Sequence, residues 1–302
     1  MAQIDTLSPA DLGALAWLAA RSLDHDDLSA DLLRRRLFED PDHDPRYSLC
    51  ARRGDRLLGA AVGVIRARKE GPVGYVRLVA TDPDARRQGL ASALLAELES
   101  RLAADGAIRV DVGTETPTWL FAGVEVCYTA ALCFFQRRGY VRTRDTYNLS
   151  VDLVAGDFRT SEREAALRGQ GIVVRRLEPS DRPSFDRYLA ANWGESWHQE
   201  GLSALDTSPA TGFVALRGGE IAGFAVYDVS RPGWFGPIGV DATLRGQGVG
   251  TILLYRCLQD WQAAGRRSAE ICWIGPMHFY SIAADARVCR VFWQMRKDLA
   301  GR

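Results

Sequence analysis

Apolar residues along the chain recur at two spacings, one typical of strands and one typical of helices. An apolar strand at 76–80 is followed by a turn and then by leucines at helical spacing that include Leu94 and Leu98. The same order occurs at 237–240, where a strand precedes a glycine-rich turn and an apolar helical stripe that reaches Trp261. The pattern therefore predicts two strand–turn–helix segments.

The two segments belong to a repeat that covers most of the chain. Before each of them, the sequence predicts a strand, a helix and a β-hairpin. The helix-starting phrases at 7–11 and 177–181 share Leu, Pro and Asp, and the predicted hairpin turns lie at 53–55 and 217–220. A repeat of this length indicates duplicated domains and not a solenoid.

After each strand–turn–helix segment, the sequence predicts a fifth strand, a further helical segment and a closing strand. These segments are 108–113, 131–140 and 147–153 in the first copy, and 268–274, 275–280 and 287–295 in the second. The first copy's helical segment ends at a glycine suited to a helix C-terminus. Each copy is therefore expected to be a mixed α/β domain, with a mostly antiparallel central sheet flanked by helices and closed by a C-terminal hairpin.

Chain length favours two domains, because 302 residues is about twice a common domain size. We expect an N-terminal domain at 1–153 and a C-terminal domain at 172–302. The polar segment 154–171 is interpreted as a linker with a helical turn at 162–168.

Composition is ordinary for a globular protein, with 47% hydrophobic and 25% charged residues. The formal net charge of zero gives no indication of a nucleic-acid or membrane partner. The six cysteines form no CxxC pair, and the sequence shows neither a signal peptide nor an 18-residue apolar run. We therefore expect a cytoplasmic protein with reduced thiols. Arginine supplies 36 of the 38 basic residues, a bias typical of a GC-rich genome such as a bacterial one.

The glycine-rich turns at 86–91 and 245–250 are candidate anion sites. Backbone N–H groups at a helix start lack intrahelical partners, and the helix dipole favours negative charge there. Glycine residues allow a phosphate to approach the backbone closely. The alternative interpretation is a glycine-rich turn without a ligand.

The spacing Arg-x-x-Gly-x-Gly/Ala, between a strand and a helix, resembles the signature of the GNAT acetyltransferase family. The resemblance occurs twice and extends over essentially the whole chain. It implies that each turn binds the pyrophosphate of acetyl-CoA, the co-substrate, and it implies no metal. The implied binding residues are Ile238, Val240, Arg245, Gly246, Gln247, Gly248, Val249, Gly250 and Thr251 in the second copy, and Leu78, Val79, Arg86, Arg87, Gln88, Gly89, Leu90 and Ala91 in the first.

The family's fourth helix often carries a Phe-Tyr pair whose tyrosine protonates the departing thiolate. The second copy has this pair at Phe279 and Tyr280, whereas the first copy has Phe134 and Phe135, which carry no hydroxyl. The resemblance thus implies that Tyr280 is the catalytic acid and that the chemistry lies in the C-terminal domain. The alternative is that Tyr280 is an ordinary core residue.

The family's acceptor pocket borders the region that corresponds to 24–46, which is rich in aspartate. An acidic lining would suit a cationic amine, although 24–27 has no metal-ligand spacing and is expected to be a solvated loop. The general base is left open. Candidate side chains, each expected at the surface or beside Tyr280, are Glu195, His198, Glu200 and His278.

These features together predict an N-acetyltransferase that moves an acetyl group directly from acetyl-CoA to a small-molecule or peptide amine. The chain would be a monomer or a homodimer, and its first domain would be structural, regulatory or a second CoA site. The alternative function is a non-catalytic acyl-CoA-binding or regulatory module. The acceptor itself cannot be read from the sequence, because pocket loops vary freely on one fold.

Overall fold

The structure is a computed structural model that describes residues 3–113 and 115–299. The chain divides into two compact units. Unit 1 comprises Met1–Thr146 and Phe292–Arg302, and unit 2 comprises Tyr147–Val291. No helix in the described part of the chain is long and apolar enough to cross a membrane.

The two halves of the chain present their helices and strands in the same order. The elements of the first half are β1 (Ile4–Thr6), α1 (Leu12–Ser22), α2 (Ala30–Leu33), a π-helix (Arg34–Phe38), β2 (Ser48–Arg53), β3 (Arg56–Arg68), β4 (Gly71–Thr81), α3 (Leu90–Ala104), β5 (Arg109–Val112), β6 (Val124–Glu125), α4 (Thr129–Arg137) and β7 (Val141–Asp152). Those of the second half are α5 (Ser161–Arg168), β8 (Ile172–Arg176), α6 (Arg182–Asn192), α7 (Glu195–Ser203), β9 (Gly212–Arg217), β10 (Glu220–Tyr227), β11 (Trp234–Val240), α8 (Val249–Ala263), β12 (Ser268–Ile271), α9 (Met277–Ala284) and β13 (Arg287–Asp298).

Each unit contains a mixed, mostly antiparallel sheet, as the sequence predicts. In unit 1 the strand order is β1-β2-β3-β4-β5, followed by the end of β13 and the beginning of β7. In unit 2 it is β8-β9-β10-β11-β12, followed by the end of β7 and the beginning of β13. The pairs β4–β5 and β11–β12 are parallel, and the other strand pairs along β1–β5 and β8–β12 are antiparallel.

Helices cover both faces of each sheet. In unit 1, α3 buries Leu94 and Leu98 on one face, and α1 buries Leu15 on the other. Strand glycines let α3 approach closely, because a Cβ at Gly63 would lie 2.9 Å from Leu98 Cδ1 and one at Gly74 would lie 2.8 Å from Leu102 Cδ1. In unit 2 the corresponding helices are α8 and α6. The predicted apolar stripes are therefore the core-facing sides of these helices.

The closing strands differ from the expected C-terminal hairpins. Residues Leu149–Asp152 of β7 pair with β12 in unit 2, whereas Met295–Asp298 of β13 pair with β5 in unit 1. The expected boundaries at 153 and 172–302 therefore differ from the compact units, because each 12-residue closing strand belongs partly to each unit. An alternating strand pattern does not specify its hydrogen-bonding partner, so the exchange was not visible in the sequence.

The predicted linker at 154–171 lies entirely within unit 2. Its helical turn is the full helix α5, and Phe158 and Leu167 are buried in the unit 2 core. The Gln259 side chain also donates a hydrogen bond to the Phe158 carbonyl at 2.8 Å. Apolar contacts at these positions thus attach a segment whose average composition is polar.

Candidate active site

In the part of the chain that the structure describes, the central strand of unit 1 has no partner along one edge just before the first glycine-containing turn. Parallel pairing between β4 and β5 ends at Val76 and Val112, so Arg77–Thr81 continues along β3 alone. The β3–β4 register shifts between Val62 and Gly63, which makes Arg77 the extra residue of a β-bulge. Backbone groups of Leu78 and Val79 therefore border an opening in the sheet.

Unit 2 repeats this geometry at its own central strand, β11. Parallel pairing between β11 and β12 covers Trp234 and Phe235, and Gly236–Val240 continues along β10 alone. A register shift again occurs beside the unpaired stretch, between Ala225 and Tyr227 of β10. The predicted residues Ile238 and Val240 therefore lie where Val79 and Thr81 lie in unit 1.

The two turns adopt the same backbone conformation. Arg86 and Arg245 are extended, with φ/ψ of −64°/159° and −65°/148°. Gly89 and Gly248 are left-handed, with φ of 81° and 83°. The residue after each arginine also has a positive φ: it is Arg87 in the first turn, with φ of 64°, and Gly246 in the second, with φ of 78°. A non-glycine residue with positive φ is uncommon and costs free energy, so Arg87 retains the turn shape against its own conformational preference.

Each turn leads directly into the start of a long helix. Helix α3 begins at Leu90, and its first intrahelical bond runs from the Ala93 N–H to the Gly89 carbonyl. Helix α8 begins at Val249, with the corresponding bond from the Ile252 N–H to the Gly248 carbonyl. The amides before those bonds have no intrahelical acceptor and can donate to an anion.

The remaining turn side chains have local roles. The Gln88 amide donates to the Asp84 carbonyl at 3.4 Å, and the Gln247 amide donates to the Thr243 carbonyl at 2.8 Å. Val249 is buried in the unit 2 core, so only its backbone can face a ligand. A ligand at either turn would therefore meet mainly backbone N–H donors, and few side chains.

In unit 1 the predicted binding residues meet in one cleft of about 1310 Å³. Its wall includes every residue predicted for the first turn except Gln88, together with the ring residues Phe134 and Phe135. Arginines contribute from the C-terminal end of α4, at Arg137 and Arg138. This combination of free helix-start amides and guanidinium groups suits a phosphorylated ligand.

A buried ionic network adjoins this cleft, and two of its members, Arg77 and Glu115, line the cleft wall. The Arg77 side chain, 1% exposed, contacts Glu115 at 2.8 Å and Asp40 at 3.0 Å. Arg66, 3% exposed, contacts Asp40 at 2.5 Å and Glu115 at 2.9 Å. Burial raises the pKa of the Glu115 carboxyl, despite the charges of Arg77 and Arg66. Burial also opposes ionisation of Asp40, but its hydrogen bond to Arg66 and the Arg77 charge hold its pKa below the ordinary value.

Sequence reasoning missed this network, although a charged residue between Val76 and Leu78 interrupts an otherwise apolar strand. The interruption is the signal that could have identified Arg77.

The acidic segment at 24–27 is not simply a solvated loop. Asp26 is buried at 8% exposure, and its carboxylate accepts a hydrogen bond from the Tyr128 hydroxyl at 3.0 Å. The Tyr128 oxygen in turn accepts the His25 backbone N–H at 3.0 Å. Asp26 and Tyr128 both line the cleft, so a long-range contact places this part of the segment inside the site.

Tyr280 is buried on helix α9 of unit 2. Its ring makes edge contacts with Phe279 and Phe235, at centroid distances of 4.9 and 6.3 Å. No side chain or backbone group of the described residues forms a hydrogen bond with its hydroxyl. Burial, and secondarily the nearby Cys272 thiol, raises the pKa of Tyr280 well above its ordinary value. The phenol therefore keeps its proton at neutral pH and can donate it.

Helix α9 also contacts the second turn. A Cβ built at Gly250 would lie 3.5 Å from the Phe279 ring, so the Phe-Tyr pair adjoins the first turn of α8. Phe135, the matching residue of Tyr280, is buried against Tyr140 at 5.1 Å and has no hydroxyl.

The base candidates of unit 2 occupy different environments. His198 contacts Asp186 at 2.5 Å on the outer side of α6 and α7. Glu200, expected at the surface, is buried at 7% exposure. Burial and the Glu200 charge raise the pKa of the Cys272 thiol to about 12.

Two stacked indole rings cover the face of β11 at Gly239. Trp193 and Trp197 lie 4.9 Å apart at an interplanar angle of 26°. A Cβ at Gly239 would lie only 2.4 Å from Trp193, so the ring rests directly on the strand backbone. This side of the unit 2 site is aromatic. In the described part of the chain, no group of His, Cys, Asp and Glu residues could hold a metal ion.

Several solved structures share the fold of this chain. The chain resembles a GCN5-related N-acetyltransferase from Sphaerobacter thermophilus, with 20% identity, a TM-score of 0.67, and coverage of 98% of this chain and 95% of that one. It resembles a tandem GNAT protein from the clavulanic acid biosynthesis pathway with 15% identity, a TM-score of 0.67 and full coverage of both chains.

A further similarity is to the glucosamine N-acetyltransferase region of a fungal multi-domain β-N-acetylglucosaminidase. The identity is 16%, the TM-score is 0.77, and the match covers 98% of this chain and 38% of that protein. Identities this low show a common fold, and no curated protein sequence matches the chain.

The sequence itself matches one family twice. The model of the acetyltransferase (GNAT) family matches residues 14–140 and 175–280, and these two ranges include both turns and both central strands. The chain therefore carries two tandem domains and belongs to the GNAT acetyltransferase family.

Proposed function

We propose that this protein is an N-acetyltransferase that transfers the acetyl group of acetyl-CoA directly to an amine, with the chemistry in unit 2. The supporting observation is the combination of a helix-start turn, an open strand edge and the unpartnered hydroxyl of Tyr280. These features lie on three elements of unit 2: β11, α8 and α9. The acceptor class is a small-molecule or peptide amine.

The residues at the second turn fit an acetyl-CoA substrate. Amides of Val249, Gly250 and Thr251 precede the first intrahelical bond of α8 and can donate to the pyrophosphate. The open edge at Gly236–Val240 offers strand amides and carbonyls to the extended part of the substrate. Bound acetyl-CoA supplies an activated thioester, and the protein has only to position an amine beside it.

Tyr280 has the properties required of the acid. A buried phenol with a raised pKa stays protonated, and proton donation to a departing thiolate is the usual role of such a group. The Phe279 ring packs against Gly250, so the helix that carries Tyr280 adjoins the first turn of α8. Unit 1 has Phe135 at the matching position and is proposed to act chiefly by binding CoA.

The proposal is tested by incubating the full chain with acetyl-CoA and a panel of amines and measuring release of the free thiol. Turnover with at least one amine is expected. Binding of CoA without turnover for any amine, in a panel that spans small amines and peptides, would instead favour a binding or regulatory module.

A further inference from the structure

Strand β12 of unit 2 separates from its parallel partner β11 at a residue with an unfavourable backbone conformation. In the part of the chain that the structure describes, the last backbone bond between the two segments runs from the Cys272 N–H to the Phe235 carbonyl at 3.3 Å. The next residue, Trp273, has φ of 42°. Positive φ is a true outlier for a bulky residue and persists only where the surrounding structure enforces it. Some contact of the fold must therefore hold Trp273 in place.

The side chain of Asn148 makes that contact. Asn148 lies on β7 at 0% exposure, and its Oδ1 accepts the Trp273 N–H at 2.8 Å. Its Nδ2 donates to Glu270 Oε1 at 2.5 Å. An ionised carboxylate only accepts hydrogen bonds, so Glu270 fixes the amide with its nitrogen towards the carboxylate and its oxygen towards Trp273. The amide thus connects the strained residue to β12 itself.

This contact keeps the chain after β12 beside β7 and away from β11. Within the sheet, Ile271 pairs with Leu149 of β7 on one side and with Phe235 of β11 on the other. Beyond the bend, the Ile274 N–H donates to the Tyr147 carbonyl of β7 at 3.1 Å. The segment therefore continues along β7, while Gly236–Val240 of β11 is left open on that side.

Unit 1 reaches the corresponding exit without this strain. Its parallel pairing ends at Val112, and the next residue, Gly113, has φ of 78°. Glycine adopts positive φ at little cost, whereas unit 2 has Cys272 and Trp273 after its last paired residue. In unit 2 a side-chain contact thus replaces a permissive residue type.

We propose that Asn148 is a positioning residue for the acetyl-CoA site of unit 2, because it holds Trp273 in the conformation that keeps the edge of β11 open. Without the amide, Trp273 relaxes to negative φ and β12 extends its pairing along β11, so the edge must reopen before the substrate binds. A site that is competent in only a fraction of the molecules binds with an affinity reduced by that fraction. The inference rests on the proposed function only in taking Gly236–Val240 as the edge that receives acetyl-CoA.

A double-mutant cycle, read by calorimetry with CoA on the full chain, tests this role. Asn148→Ala should weaken the binding event that Gly248→Ala also weakens by about tenfold, the affinity equivalent of one strained residue. Glycine needs no support at positive φ, so in a Trp273→Gly background the same change should alter this event by less than about twofold. Val174→Ala, at a buried position of β8, controls for lost stability and should leave CoA binding unchanged.

An unchanged Kd in Asn148→Ala, or equal weakening in both backgrounds, would overturn the inference. If Asn148→Ala does not fold, Asn148→Ser takes its place, because the shorter hydroxyl keeps a polar group there but cannot reach both Glu270 and Trp273. The turnover assay separates this inference from the proposed function. Amine acetylation with CoA affinity unaltered by Asn148→Ala refutes the positioning role alone, whereas the expected pattern of affinities without turnover on any amine refutes the transferase function alone.

Discussion

The two ends of helix α8 provide a matched test of the anion-binding turn. Gly248 stands at its start with φ of 83°, and Gly265 follows its end with φ of 76°. A Cβ added at either glycine meets nothing within 4 Å. Alanine at either position therefore carries the same left-handed backbone penalty, about 1–2 kcal/mol, without a steric clash inside the protein.

Both variants should therefore lose stability equally. For a chain of this size, 1 kcal/mol corresponds to roughly 2–4 °C in Tm, so each alanine should lower Tm by a few degrees. Only Gly248→Ala should also weaken CoA binding, because its methyl group stands where a phosphate would approach the helix-start amides. Losing one charge-assisted hydrogen bond costs about 1.5–3 kcal/mol, or about ten- to a hundredfold in Kd.

Calorimetry with CoA on the full chain measures this effect. The wild type should show up to two binding events per chain, and Gly248→Ala should weaken one of them while Gly265→Ala weakens neither. Gly89→Ala, at the corresponding turn with φ of 81°, should weaken the other event. If Gly248→Ala binds CoA as tightly as Gly265→Ala does, the turn of unit 2 is not the phosphate site.

The other predictions concern catalysis, the buried ionic network around Glu115 and the closing strand β13. Tyr280→Phe should lower kcat by about 10²–10⁴ with unchanged CoA affinity, and full turnover in this variant together with its loss in Phe135→Leu would move the chemistry to unit 1. Glu115→Gln should lower the free energy of unfolding by about 3–5 kcal/mol in a denaturant titration, because two buried guanidinium groups lose a counter-charge. Asp42→Asn, whose side chain is 54% exposed, should cost about 1 kcal/mol or less, and equal costs would refute this reasoning. Met295→Ala, buried in unit 1, should cost about 2–5 kcal/mol and reduce hydrogen-exchange protection in β5, whereas Val288→Ala, exposed on the same strand, should not.

Local patterns in the sequence determined much of the framework. Apolar spacing predicted α3 and α8 and the strands before them, and the glycine positions predicted both turns. Such features depend on residues a few positions apart, so their physical cause is present in any short window. Gly89 and Gly248 are required by positive φ, which is a property of single residues and their neighbours.

The partners of the closing strands were decided only in three dimensions. Residues 147–153 and 287–295 have the composition of strands, and both form strands. Whether β13 completes the sheet beside β5 depends on main-chain hydrogen bonds, which every strand can offer equally. For the same reason, the expected boundary at 153 could not reveal that the units share their closing strands.

The polar part of the unit 1 cleft also depended on tertiary structure. Asp26 and Tyr128 are separated by 102 positions, and Arg77 and Glu115 by 38. Periodicity shows which face of an element an apolar residue occupies, but a charged side chain becomes buried only when a distant partner offsets its loss of hydration. The sequence therefore determined the strands, turns and helix starts, while the folded chain decided which charges and hydroxyls face one another across the cleft.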